Sequence, residues 1–231
     1  MSTVFEPVAP ATVPVLGQTA VFPVHRIYCV GRNYAAHAKE MGGTGREAPF
    51  FFMKPGDAAL VAPPGTTTAL PYPPLTHDLH HEIELVVAIG VGGRNIAVAD
   101  AHQHIFGYAV GLDMTRRDLQ ADLKKQGRPW CIAKGFDHSA PIGAITPAAL
   151  VPNMGKAAIC LQVNGTVRQS GRTDQMICNI AETIAQLSAA WALQPGDLIY
   201  TGTPEGVSAV VRGDVLHGSI EGLQDITLRV A

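Results

Sequence analysis

The chain has 231 residues, 47% hydrophobic and 16% charged, which excludes a disordered polypeptide and suits one large domain with a sizeable core. A net charge of −2, with no Lys/Arg run longer than two residues, excludes the basic stripe of a nucleic-acid binder. The 24 Gly and 17 Pro, with few aromatics, favour many short strands and turns over a helical bundle.

Residues 1–24 hold four prolines among alternating apolar residues, which predicts an extended arm or edge strand. We therefore divide the chain into an N-terminal arm, 1–23, and a single domain, 24–231. Residues 25–30 read as a short β-run ending at Gly31, after which Asn33 can cap a helix over 34–41 that Gly42-Gly43 terminates. Phe50-Phe51-Phe52-Met53 is a buried strand candidate, and the five prolines of 63–74 predict a loop and edge region. Residues 82–90 form the clearest strand, followed by a short helix over 97–105, a strand over 108–112 and a helix over 115–126. Asn164-Gly165 between two β-runs signals a hairpin. The long helix covers 180–193, with Ile180, Ile184, Leu187 and Trp191 at three- and four-residue steps and Asn179-x-x-Glu182 as a capping box. A strand over 198–201 follows, and 215–230 read as two closing strands joined at Glu221-Gly222.

Cys29, Cys131, Cys160 and Cys178 form no CxxC pair, which predicts free thiols in a reducing cytoplasm. The N-terminus lacks a basic region followed by an apolar run, and no stretch approaches a membrane span. A soluble, cytoplasmic protein is expected, with no nucleic-acid or membrane partner. Walker, GxGxxG, GxSxG and HExxH motifs are missing from the sequence, which removes the commonest nucleotide, serine-hydrolase and zinc-protease readings.

Glu82 and Glu84 lie two apart in a strand and so project from one face. Either they hold a divalent cation that removes their repulsion, or they line a solvated outer face. Asp113, at the end of the 108–112 strand, is the best third ligand, and three hard oxygens favour magnesium, manganese or calcium over zinc. Its simpler role is to stabilise the following helix entry. Arg117 and Gln120 share a face of that helix and either read a substrate carboxylate or are solvated, whereas Asp118 and Asp122 look like surface residues. His37 and Glu40 are three apart and read as a general-base pair or as a weak surface ion pair. Flanking glycines would let residues 34–49 act as a lid that orders on ligand binding. His77, His80 and His81 either supply nitrogen ligands or sit in a solvent-exposed turn. Lys134, in an apolar stretch, either snorkels to the surface or holds an anion. Residues 200–206, with Thr203, follow a strand and leave room for a ligand to approach the backbone.

In order, these segments resemble the fumarylacetoacetate hydrolase family over roughly residues 24–231. The matching pieces begin with Gly31-Arg32-Asn33-Tyr34, His37 and Glu40, then Phe52-Met53-Lys54-Pro55 and His81-Glu82-Ile83-Glu84-Leu85. They continue with Asp113-Met114-Thr115-Arg116-Arg117-Asp118-Leu119-Gln120, Lys134-Gly135-Phe136-Asp137 and Tyr200-Thr201-Gly202-Thr203-Pro204. Gly56 stands where the family often carries Ser. The resemblance implies an α+β, predominantly β fold, a mixed β-sandwich roll with a few short helices, forming a homodimer. It implies Mg²⁺ or Mn²⁺ on Glu82, Glu84 and Asp113, with His37, Glu40 and Lys134 catalytic and Arg117, Gln120, Thr203 and Lys54 binding substrate. The implied reaction is hydrolysis of a carbon–carbon bond in a small 2,4-dioxo acid. Residues 27–34 and 49–55 look most like the bacterial branch that hydrolyses fumarylpyruvate in gentisate breakdown. Two alternatives are a lyase of the same fold that decarboxylates oxaloacetate and a non-catalytic carboxylate-binding protein.

Overall fold

Every residue of the strand Ile83–Ile89 is buried, because it has a hydrogen-bonded neighbour on each side and packed layers on both faces. The computed structural model describes residues 3–40, 50–151 and 153–231, and among these the strand lies inside an eight-stranded sheet. The order is Phe50–Lys54, Ile27–Gly31, Leu198–Tyr200, Ile83–Ile89, Ile105–Leu112, Ala140–Ile142 and Ala59–Val61, with Thr146–Pro147 also on Ile105–Leu112. Leu198–Tyr200 runs parallel to Ile27–Gly31 and antiparallel to Ile83–Ile89, so the sheet is mixed. A five-stranded sheet packs against it, ordered Thr166–Arg172, Ala158–Val163, Val215–Ile220, Ile226–Val230 and Thr67–Leu70. This mostly β architecture with few helices is the fold class expected.

Alternation along the central strand assigns its residues to three packing environments. Ile83 and Leu85 meet Ile159, Leu161, Leu216 and Leu228 of the five-stranded sheet. Val87 and Ile89, further along the same face, meet Ile184 and Leu187 of the helix Ile180–Ala190. Val86 and Ala88 point the other way, toward Val13 and Phe22 of the N-terminal hairpin Thr12–Pro14/Val21–Pro23. Each buried Val, Leu or Ile contributes about 1.5–3 kcal/mol, which holds the strand in place although its other end carries carboxylates.

Local signals located several elements correctly. The Asn179–Glu182 capping box forms in both directions, at 3.0 and 2.9 Å. Asn164 and Gly165 take φ of 51° and 77° at the hairpin. Other elements differ. Thr115–Arg116 is a short strand rather than the start of a helix, pairing with Leu79–His80, and the helix is Arg117–Lys125. Residues 98–104 wind as a 3₁₀ helix. The proline-rich stretch contains the strand Thr67–Leu70, at the edge of the five-stranded sheet and parallel to Ile226–Val230. Asn33 does not cap the helix Ala35–Glu40. Its amide donates to the carbonyls of Thr201 and Cys178 and accepts from Cys178 N, because buried peptide groups from two distant segments need those bonds.

All four cysteines are free. No helix among the described residues is long and apolar enough to cross a membrane. Residues 41–49 of the expected lid lie outside the described residues. The part described is packed, with Tyr34 and His37 both buried.

Candidate active site

The face of the central strand that carries Val86 and Ala88 ends in Glu84 and, just before the strand, Glu82. Asp113 follows the neighbouring strand Ile105–Leu112, whose antiparallel register sets Leu112 opposite Ile83, and its N–H donates to the Glu82 carbonyl at 2.8 Å. Strand pairing therefore brings three buried carboxylates together, with oxygens within 4.8 Å of one another. The solvated-face reading of Glu82 and Glu84 is excluded.

The three are compensated unequally. Lys134, in the short helix Cys131–Lys134, places its Nζ 2.9 Å from Glu82 Oε2, 2.7 Å from Asp113 Oδ2 and 2.6 Å from Thr115 Oγ1. Neither snorkelling nor exposed, it bridges two of the carboxylates. Arg117 Nη2 takes the other oxygen of Glu82, and Lys54 Nζ lies 2.8 Å from Asp113 Oδ1. Burial alone would raise the Glu82 pKa, but Lys134 and Arg117 outweigh it and hold the carboxyl below its ordinary range. Burial likewise pulls Lys134 down, and Asp113 and Glu82 more than restore its charge. Glu84 has no such cation among the described residues. Its bond is from Gly202 N–H to Oε2 at 2.7 Å, and burial together with Asp113 and Glu82 drives its pKa well above the usual value.

Gly202 is required for that bond. Its φ is +99°, and a Cβ there would come within 2.7 Å of the Asn33 side chain. A divalent cation fits this donor set: three hard carboxylate oxygens, one of them facing two anions with no direct cation contact among the described residues.

Eight of the ten expected site residues line one cavity: the three acidic residues with His37, Lys134, Arg117, Gln120 and Thr203. Glu40 and Lys54 stand outside it. Glu40 accepts from Gly206 N–H at 3.2 Å and lies 3.4 Å from His37 Nδ1, so the pair is tied to the loop after Thr203. Lys54, expected to bind substrate, does not line the cavity. Its side chain is fully buried behind Asp113, and its ammonium also donates to the Met114 and Lys134 carbonyls. Arg117 and Gln120 are bonded to each other, and Arg117 also lies 3.4 Å from His80 Nδ1. Asp118 is no loose surface residue, since it accepts from Thr76 Oγ1 at 2.6 Å and His77 N at 3.0 Å.

The histidine cluster resolves into three roles. His77 is exposed and His80 pairs with Asp78 at 2.9 Å. His81 is buried, its Nδ1 donating to Gln169 Oε1 and its Nε2 accepting from Ser208 Oγ, both at 2.9 Å. Burial pushes its pKa down to about 4, so it is neutral near pH 7. Gln169 then donates to Thr203 Oγ1 at 2.7 Å, and Thr203 donates to the Ile83 carbonyl. Sequence reasoning missed this Gln169 buttress, which has no local signature. It also missed the cavity's aromatic wall of Phe50, Phe52 and Trp130, although Phe50 and Phe52, two apart in a strand, had to share a face.

The model of the fumarylacetoacetate (FAA) hydrolase C-terminal domain matches residues 26–231. The chain belongs to the fumarylacetoacetate hydrolase family. It is 47% identical over 184 residues to the fumarylpyruvate hydrolase of a Ralstonia species, covering 80% of this chain and 93% of that one. It is 42% identical over 204 residues to the mitochondrial oxaloacetate tautomerase FAHD1 of Rattus norvegicus, covering 88% of this chain and 90% of the relative. Among solved structures, that of the Pseudomonas aeruginosa fumarylpyruvate hydrolase in complex with Mn²⁺ and pyruvate superposes with a TM-score of 0.98. The identity is 53%, over 100% of this chain and 99% of that one.

Proposed function

We propose that the protein is a divalent-metal-dependent hydrolase that cleaves a carbon–carbon bond in 2,4-dioxo acids, with fumarylpyruvate, giving fumarate and pyruvate, as its substrate. The observation that carries this reading is the cluster Glu82–Glu84–Asp113, which shares a cavity with an imidazole and a buried lysine. The similarity to two fumarylpyruvate hydrolases supports the choice of substrate.

Mg²⁺ or Mn²⁺ held by Glu82, Glu84 and Asp113 would supply Lewis-acid polarisation of the neighbouring carboxylate and keto oxygens of the substrate. Gln120 and Arg117, one turn of helix apart on the cavity wall, orient the pyruvoyl carboxylate. His37, held toward Glu40, takes a proton from water, and the resulting hydroxide attacks the ketone distal to that end. Collapse of the adduct breaks the carbon–carbon bond, releasing fumarate and the enolate of pyruvate, which becomes pyruvate on taking up one proton. Lys134 places its positive charge where the enolate oxygen develops. Thr203, fixed on the cavity wall by Gln169 and the Ile83 carbonyl, helps to position a substrate carboxylate.

A second reading has its own support: the 42% identity to an oxaloacetate tautomerase favours enol–keto chemistry on oxaloacetate, with no water attack. Decarboxylation of oxaloacetate would draw on the same enolate stabilisation. Purified protein with Mg²⁺ or Mn²⁺ is assayed in parallel on fumarylpyruvate, acetylpyruvate and oxaloacetate. Faster turnover of fumarylpyruvate is expected. Turnover of oxaloacetate alone would replace the hydrolase reading with the second one.

A further inference from the structure

Three cations besides Lys134 line the cavity: Arg32, Arg117 and Lys124. Arg117 is already engaged by Glu82 and Gln120. Arg32 makes no ion pair or hydrogen bond among the described residues. Its guanidinium lies 5.9 Å from the centroid of the Phe50 ring. Its backbone is left-handed, φ 59°, a conformation that side chains other than Asn adopt rarely. Phe50 is seated by its neighbour Gly31, where a Cβ would come within 2.3 Å of the ring.

From Arg32 the cavity wall continues through aromatic rings back to the acidic cluster. Phe50 lies 6.5 Å from Phe52, both meet Trp130 edge-on, and Lys134 Nζ sits 5.2 Å from the Phe52 centroid. The cavity therefore has two poles. At one, carboxylates and Lys134 would hold the pyruvoyl end of a dioxo acid. At the other, a guanidinium that has no partner carboxylate among the described residues lies beyond an apolar aromatic strip. An arm with flat, unsaturated carbons and a terminal anion matches that sequence of surfaces.

We propose that Arg32 is the specificity residue for a terminal carboxylate on the acyl arm, with Phe50 and Phe52 covering the carbons between, so that the preferred substrates are dicarboxylic acylpyruvates. This rests on the hydrolase reading above and assigns the recognition of the arm that leaves as the free acid.

The test compares the wild type with Arg32→Asn, which accepts the left-handed backbone, Arg32→Lys, which keeps the charge, and Lys124→Ala. Two ratios are read for each: kcat/KM for fumarylpyruvate over acetylpyruvate, and the calorimetric affinity for fumarate over crotonate, which lacks the second carboxylate. Loss of a charge-assisted hydrogen bond is expected to lower both ratios by about 10- to 100-fold in Arg32→Asn, with partial recovery in Arg32→Lys. Unchanged ratios in Arg32→Asn, a parallel fall for both members of each pair, or a larger change in Lys124→Ala than in Arg32→Asn would each overturn the assignment. If the wild type hydrolyses neither acylpyruvate, the hydrolase reading fails, while the fumarate-to-crotonate ratio still decides the role of Arg32.

Discussion

Asp197 and Glu84 are both buried carboxylates at strand ends, and they are compensated in opposite ways. Asp197, just before Leu198–Tyr200, meets His25 Nδ1 and Arg26 Nε at one oxygen, both at 2.9 Å, and Arg26 Nη2 and Gln194 N at the other. Its charge is balanced and its acceptor positions are filled. Glu84 faces Asp113 and Glu82 and receives one backbone N–H. The first arrangement ties a turn to the strand beginning at Ile27, and its partners reach solvent. In the second, Lys134, Lys54 and Arg117 contact the other two carboxylates. Glu84, with no direct cation contact among the described residues, has its pKa raised by burial and by its two acidic neighbours. Under-compensation, more than burial itself, separates a candidate site from a structural ion pair.

Neutralising each carboxylate tests that contrast. Glu84→Gln keeps an oxygen for Gly202 N–H and strands no cation, so the apo protein should melt no lower than wild type while activity falls by at least about 10³-fold. Chelation followed by desalting should have the same effect on the wild type, reversed by Mn²⁺. Activity that survives either treatment would remove the cation from the reading.

His37→Ala probes the acid–base half of the same cavity. Hydrolysis should drop by about 10²–10⁴-fold, while binding of oxalate, a mimic of the pyruvate enolate, persists in the calorimeter. A variant with wild-type turnover would reduce His37 and Glu40 to a local ion pair.

Asp197→Asn should reverse the pattern of Glu84→Gln. Denaturant unfolding is expected to show a loss of about 2–3 kcal/mol, short of the figure for a fully enclosed pair because the Arg26 side chain is 26% exposed. Turnover per folded molecule should hold. If Asp197→Asn costs activity in excess of folding, the two carboxylates are not separable as drawn. The smallest effect belongs to Asn179→Ala, which removes a helix cap remote from the cavity: about 1 kcal/mol of stability, read as a lower denaturation midpoint at unchanged slope.

What could be read along the chain was whatever a few consecutive residues decide. Two-residue alternation set Glu82 and Glu84 on one face, Asn164-Gly165 specified a hairpin, and Asn179 with Glu182 formed a cap, because each depends on backbone geometry within one turn or one pleat. The pairing of His37 with Glu40 was legible for the same reason, three residues along a helix. Tertiary structure alone decided the burial of Glu84, the placing of Lys54 behind Asp113 and the diversion of Asn33 from helix capping. It also decided that His81 and Gln169 support Thr203 from beneath. These outcomes join residues 52 apart, as for Lys134 and Glu82, or 168 apart, as for Asn33 and Thr201. Whether a buried polar group keeps a local partner or takes a distant one depends on which peptide groups and charges the packed sheets bring beside it.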